Sequence, residues 1–149
     1  MIEFRNARVE DVPAIVRLLA DDALGAARES ASDVAPYEKA FAALIAQKGN
    51  AVIVGDNRGE VVACLQLTIV PGVSRRGATR AFIEGVRVAA KLRGKGVGEA
   101  LVKHAIDNAR AAGCRVVQLT SDKSRLDAHR FYERLGFNAS HIGMKLELA

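Results

Sequence analysis

The sequence predicts an α/β chain with helices packed on a mixed sheet, and three observations carry that expectation. Apolar spacing switches repeatedly between the two-residue period of strands and the roughly 3.6-residue period of helices, so the two kinds of element are interspersed. From residue 81 to 119 a strand, a glycine-rich turn, an amphipathic helix and a second strand follow one another, the order of a right-handed parallel crossover. The alternation elsewhere is too irregular for a doubly wound sheet.

At the amino terminus Ile2 and Phe4 alternate as a strand would. Val12, Ile15, Val16, Leu18 and Leu19 then recur at helical spacing behind Glu10 and Asp11, whose charges suit a helix start. Residues 22 to 36 are rich in Ala, Ser and Asp and weakly patterned, which predicts a mobile segment between two helices. Pro36 suits a first helical position and opens the second, which runs to Gln47 with Phe41, Leu44 and Ile45 on one face. Ala51 to Gly55 and Val61 to Val70 are β-rich runs around the turn-forming Asp56-Asn57-Arg58-Gly59, an antiparallel hairpin. Pro71 and Gly72 close its second strand, residues 73 to 80 form a basic loop, and Ala81 to Ala90 make a third long strand. From Val97 the positions Leu101, Val102, Ala105, Ile106 and Ala109 share one helical face, which Gly113 ends. Val116, Val117 and Leu119 make a short buried strand. Leu126, Ala128, Phe131 and Leu135 form a last amphipathic helix stopped by Gly136, and Phe137 to Leu148 contains a final alternating strand.

The 149 residues suit a single domain spanning 1–149, and a composition half apolar and 26% charged excludes a disordered chain. The formal charge of +5 favours anionic partners. It is concentrated in Arg75, Arg76, Arg80, Arg87, Lys91, Arg93 and Lys95, while Asp21, Asp22, Glu29 and Asp33 make an earlier acidic stretch. No aromatic interleaves with the basic residues as a base-stacking platform needs, and no zinc or helix-turn-helix spacing occurs, so nucleic acid is not the expected partner. Cys64 and Cys114 lie in or beside apolar runs and read as small buried hydrophobes, without a disulfide. The start of the chain lacks the basic-then-apolar pattern of a signal peptide, and no apolar run approaches the roughly 20 residues of a membrane helix, so a cytoplasmic protein with no membrane partner is expected.

Arg93-Gly94-Lys95-Gly96-Val97-Gly98 lies between a strand and an amphipathic helix, where the first helix amides have no internal partner and the macrodipole is positive. Glycines there remove the Cβ atoms that would keep a diphosphate from the backbone, and Arg93 and Lys95 add charge, so the turn is a phosphate seat. The spacing is neither G-x-G-x-x-G nor a P-loop. It is R-x-x-G-x-G. With Ile83-Glu84-Gly85-Val86-Arg87-Val88 before it and the A-x-x-F-Y-x-x-x-G-F run from Ala128 to Phe137 after it, the chain resembles the GNAT superfamily of N-acetyltransferases over essentially its whole length. The resemblance implies a mostly antiparallel twisted sheet of six or seven strands with about four helices on both faces. It also implies an acetyl-CoA-dependent enzyme that acetylates a primary amine by direct attack in a ternary complex. A non-catalytic, CoA-binding regulatory module is the alternative on the same fold, and many members of the superfamily are homodimers.

Residue by residue, the resemblance implies that backbone amides of Gly94, Lys95, Gly96, Gly98 and Glu99 hold the CoA diphosphate. Val86 and Val88 would pair with the pantetheine arm as an added strand does, where strands four and five splay apart. Arg125 stands where many members carry an Asn that holds the cofactor; its guanidinium can serve pantetheine or phosphate, or pair with a carboxylate instead. Tyr132 occupies the position of the acid that protonates the departing thiolate, its alternative being a packing role beside Phe131. Glu84, among Phe82, Val86 and Val88 on one face of its strand, reads as a partly desolvated general base or as an ion-pair partner of an arginine across the sheet. His129, one turn from Tyr132, could relay a proton; His141 and His104 are weaker candidates. Asp21, Asp22, Glu29 or Asp33 could meet the incoming ammonium group, and Arg75, Arg76 and Arg80 could hold an anionic substrate tail; the alternative for each stretch, and the favoured one, is a solvated surface. A fainter similarity of residues 125–132 and Ser140-His141 to aminoalkylphosphonate N-acetyltransferases favours a small amine with an anionic end.

Overall fold

The computed structural model describes residues 1–149. Five strands form one sheet in the order β1-β2-β3-β4-β5: β1 (Glu3–Asn6), β2 (Asn50–Asn57), β3 (Glu60–Val70), β4 (Arg80–Val88) and β5 (Val116–Gln118). The first three junctions are antiparallel and β4 runs parallel to β5, as the crossover predicts. At the hairpin tip Arg58 and Gly59 have φ of 53° and 91°, the paired left-handed geometry of a tight turn that follows strand twist.

Six helices accompany the sheet: α1 (Val12–Ala20), α2 (Ala23–Arg28), α3 (Ala35–Ala46), α4 (Ser74–Gly77), α5 (Val97–Ala111) and α6 (Leu126–Arg134). The fold is the expected mixed, mostly antiparallel α+β class, with fewer strands and more helices than anticipated. One extra helix is α2, inside the segment read as mobile: Asp22 turns its carboxylate onto the Gly25 amide and caps it. Another is α4, a single turn in the basic loop. The strand expected between Phe137 and Leu148 is not formed; residues 137–149 lie in no helix or strand.

Both faces of the sheet are used. Leu18 of α1 packs with Val54 and Cys64, which are paired across β2 and β3. The alternate residues Ile53 and Leu65, together with Ile83, point the other way, where α5 lies against β3 and β4 and buries Leu101, Val102, Ala105 and Ala109. The chain divides into two units, Met1–Gln118 and Leu119–Ala149. The first holds the whole sheet with α1 to α5, and the second holds α6.

One buried ion cluster ties β1, the start of α1 and β2 together. Arg5 donates to both oxygens of Asp11 at 2.8 and 3.0 Å and to Asp56 at 3.1 Å, while the Arg8 amide donates to Asp11 at 2.7 Å. The Arg5 guanidinium, foremost, and the Arg8 amide hold the Asp11 carboxyl below the usual carboxylate range against the opposing effect of burial. A carboxyl depressed in the folded state stabilises fully above its unfolded pKa, about 4, and loses that contribution as pH falls further. Asp11→Asn, which leaves Arg5 half-paired, is therefore expected to lower stability by about 2 kcal/mol, or roughly 6 °C, at pH 7 and to blunt the acid limb of a Tm-versus-pH curve below about pH 4.

Candidate functional site

The parallel junction is short. Arg80–Phe82 pair with Val116–Gln118, yet β4 continues to Val88, so from Ile83 onward its second edge has no strand beside it. What faces that edge is set by an irregularity in the first. Gln66 pairs with Glu84 and Cys64 with Arg87, so the single Leu65 opposes both Gly85 and Val86. Gly85 accommodates this bulge at φ 63°, with a Cβ position only 3.6 Å from Leu19 of α1.

The inserted residue reverses parity. Cys64 and Gln66 share a face of β3, so Glu84 and Arg87 share the α1 side of β4, while Val88, paired with Ala63, lies on the other. Simple alternation would have placed Glu84 with Val86 and Val88 in a partly desolvated stripe. Glu84 is instead exposed and joins none of the ion pairs, so the arginine partner weighed for it is also absent.

The peptide groups of Val86 and Val88 turn towards the free edge. The Ala89 amide donates to Val62 of β3 at 2.8 Å, which directs the neighbouring Val88 outward; the Val88 carbonyl accepts from Arg93 Nε at 3.1 Å and the Val86 carbonyl from Arg87 Nη1 at 3.0 Å. These are the two residues expected to meet a pantetheine arm.

The same edge leads into the glycine turn and the start of α5. Gly96 is the residue before the helix, at φ 83°, and the first helical bond runs from the Ala100 amide to its carbonyl. The amides of Val97, Gly98 and Glu99 thus have no partner inside the helix. A Cβ on Gly94 or Gly96 would meet nothing within 4 Å, so glycine is needed here for its backbone angle, and the turn lies open. Lys95 is exposed beside it; Glu99 pairs with Lys103 at 2.6 Å.

Two of the expected charges are already engaged. Arg93 Nη2 donates to the Asp21 carbonyl at 3.1 Å and reaches its carboxylate at 3.4 Å. Arg87 Nε lies 2.9 Å from the Asp22 carboxylate, with its N–H off the hydrogen-bond direction. The turn between α1 and α2 is therefore clamped by arginines from β4 and the glycine loop, a role for Arg87 and Arg93 that sequence spacing could not reveal across 65 to 72 residues. Glu29 accepts from the Tyr37 hydroxyl at 3.1 Å and Asp33 from the Ala35 amide at 3.3 Å, so all four acids proposed to greet an ammonium group have partners.

In the basic loop Arg75 and Arg76 have φ of 54° and 61°, a left-handed pair that non-glycine residues rarely adopt. Both are exposed, and the Arg75 carbonyl accepts a long 3.5 Å bond from Arg115. Arg80 differs: its guanidinium sits 5.5 Å from the Phe82 ring centroid and donates to Gln118 at 3.2 Å. A depression of about 580 Å³ lies elsewhere, lined by Glu10, Arg17, Asp21, Glu60 and Ala89 among others, and includes none of the expected cofactor residues.

In the unit 119–149, Tyr132 is half-buried, with its ring edge-on to Phe131 at 5.1 Å and to Phe137 at 5.8 Å. His129 uses Nε2 against the Asp122 carbonyl at 2.9 Å, which fixes the loop before α6, and His141 Nδ1 meets Ser140 Oγ at 2.7 Å. Arg125 precedes α6, is exposed and forms no ion pair. In the other unit His104 is half-buried, its ring centroid 5.5 Å from that of Phe4 with the planes tilted by 37°.

The model of the acetyltransferase (GNAT) family matches residues 13–137. A glucosamine 6-phosphate N-acetyltransferase of Trypanosoma brucei brucei is 38% identical over 90 residues, 60% of this chain and 59% of that protein, so the match spans less than two thirds of the relative. An aminoalkylphosphonate N-acetyltransferase of Salmonella typhimurium is 28% identical over 140 residues, 94% of this chain and 87% of that one. A solved transcriptional regulator from Bacillus halodurans C-125 superposes with a TM-score of 0.96 at 43% identity, covering 99% of this chain and 100% of that chain.

Proposed function

Because the chain belongs to the acetyltransferase (GNAT) family, we propose that it is an acetyl-CoA-dependent N-acetyltransferase, a single cytoplasmic catalytic domain over residues 1–149 that acetylates the primary amine of a small molecule. One observation supports the cofactor reading above others: the outward peptide groups of Val86 and Val88 lead directly to the glycine turn and the first turn of α5, where the Val97 and Gly98 amides have no partner inside the helix. Acetyl-CoA supplies an activated acyl group on a thiol that departs readily. Val86 and Val88 hold the arm by main-chain bonds. Gly94, Lys95, Gly96, Gly98 and Glu99 receive the diphosphate with backbone N–H groups, Lys95 adds a free charge, and Arg125 is a further candidate for the arm or a phosphate. Arg93 contributes by sharing its guanidinium between the Val88 carbonyl and Asp21.

For the chemistry, Tyr132 gives its phenolic proton to the departing sulfur, and Glu84 takes the proton of the attacking amine, through water given its exposure. Attack is direct, within a complex holding both substrates. The acceptor carries an anionic end: the Trypanosoma and Salmonella relatives are named for amines bearing a phosphorus oxyanion, and Arg75 and Arg76 are exposed cations that join none of the ion pairs. The acidic residues after α1 are the poorer acceptor site, being engaged already. Arg75→Glu with Arg76→Glu is expected to raise KM about tenfold or more for a phosphorylated or phosphonate amine and to leave acetylation of spermidine no worse.

The regulator from Bacillus halodurans favours a second reading, a CoA-binding module that does not turn over. Thiol release from acetyl-CoA across a panel of amino-sugar phosphates, aminoalkylphosphonates, polyamines and amino acids separates the two. Turnover with an anionic amine supports the enzyme; calorimetric acetyl-CoA binding without turnover of any amine supports the module.

A further inference from the structure

The Arg87 side chain is only 10% exposed, yet its Nε–H lies 2.9 Å from an Asp22 oxygen without pointing at it and makes no hydrogen bond. A buried N–H without a partner is costly, so something beyond the acid holds the side chain where it is. Arg87 Nη1 donates to the Val86 carbonyl at 3.0 Å, and one planar fork cannot meet that carbonyl and the carboxylate squarely at once. The Val86 carbonyl belongs to the free edge of β4, where it is an acceptor for an incoming pantetheine amide. A second arginine repeats the arrangement two residues along: Arg93 donates from Nε to the Val88 carbonyl at 3.1 Å and from Nη2 to the Asp21 carbonyl at 3.1 Å. Each edge carbonyl is thus joined through a guanidinium to the turn between α1 and α2.

That turn borders the side on which the amine must approach. Glu84 and Arg87 share the α1 side of β4, and between them Leu19 of α1 closes over Gly85. Asp22 also builds α2: one of its oxygens accepts from the Gly25 amide at 2.5 Å while the other faces Arg87. A Cβ on Gly25 would come within 1.8 Å of the Leu19 carbonyl, so α2 starts hard against the end of α1. We propose that Arg87 is a positioning residue that passes the arrival of the cofactor on to this acceptor wall, an inference that rests on the acetyl-transfer reading. When a pantetheine amide takes the Val86 carbonyl, the guanidinium is released to swing its Nε–H onto Asp22. The orphaned donor is then satisfied, the Asp22 carboxylate is held at both oxygens, and α2 is fixed beside Glu84. No bond is lost in the exchange, since the carbonyl gains the cofactor's amide as Arg87 gains the carboxylate. Arg93 makes the same exchange at Val88 with less effect, because it and Asp21 are 50% and 55% exposed and share their charges with water.

Residue-resolved hydrogen exchange of the full chain with and without CoA reads this coupling apart from turnover. The Gly25 and Ala26 amides are expected to slow about tenfold when CoA is bound, a usual size for coupling between two sites. Arg87→Lys keeps the charge but cannot fork between two acceptors, and Asp22→Asn keeps a good helix cap without the charge. Both variants are expected to bind CoA in calorimetry, to lose the slowing, and to raise KM for the amine about tenfold with kcat within about threefold. CoA binding to the native chain without slowing at Gly25 and Ala26 would mean that the Val86 carbonyl accepts from arginine and cofactor together, and would overturn the proposal while the cofactor reading stands. Slowing that persists in both variants would overturn it as well, as would a fall in kcat with KM unchanged. Absence of CoA binding to the native chain would remove the acetyl-transfer reading, and this coupling with it.

Discussion

Gly98→Val is expected to weaken acetyl-CoA binding about a hundredfold while the protein remains folded. The position lies in the first turn of α5, where the amides of Val97, Gly98 and Glu99 lack helical partners. A branched side chain there stands between those donors and an incoming diphosphate. Each charge-assisted bond lost is worth about 1.5–3 kcal/mol, so two suffice for two or more decades in Kd. Valine also has a better helix propensity than glycine, and Gly98 does not have the positive φ of Gly94 and Gly96, so no backbone penalty arises. Gly96→Val is the contrasting case. It forces a β-branched residue to φ 83° and is expected to lose stability as well as affinity, although no neighbour lies within 4 Å. Calorimetric titration with acetyl-CoA and a thermal melt of both variants give the comparison. Unchanged affinity in folded Gly98→Val would remove α5 from the cofactor site.

Tyr132→Phe is expected to lower kcat about a hundredfold and to leave KM for acetyl-CoA within about threefold of its starting value. The substitution removes one hydroxyl and keeps the ring that packs against Phe131 and Phe137. A positioned acid contributes about 10²–10⁴-fold, and the lower end applies because a CoA thiolate already departs well. Steady-state kinetics with one accepted amine reads the result; wild-type kcat would mean that water protonates the sulfur. Glu84→Gln should differ in its pH profile, its defect shrinking as pH rises and more amine arrives neutral. A defect constant with pH would make Glu84 a positioning residue.

Helix-period spacing was readable along most of the chain. Val12, Val16 and Leu18, and later Leu101, Val102 and Ala105, are buried where their recurrence placed them. The crossover was readable too, since a glycine turn between a strand and an amphipathic helix leaves few topologies. Period two was less dependable, because one inserted residue inverts it. Gly85 in the interior of β4 was the available signal of a bulge, and ignoring it put Glu84 with Val88. The clamps from Arg87 and Arg93 onto Asp22 and Asp21 had no local signal at all: charges distant in sequence pair through the fold. The alternation of Ile142 to Leu148 read as a strand, yet the segment forms none and its apolar residues are exposed, because alternation gives a face and not an edge to pair with.

The environment of the two cysteines decides how turnover can be recorded. Burial pushes the Cys64 thiol up to about 12 and the Cys114 thiol upward as well, so neither offers much thiolate at neutral pH. An aromatic disulfide dye that reports free CoA by colour should therefore see a quiet background from the native protein. Denaturation should release a burst of two equivalents per chain, which makes the same dye an internal gauge of how much of each variant is folded when its rate is taken.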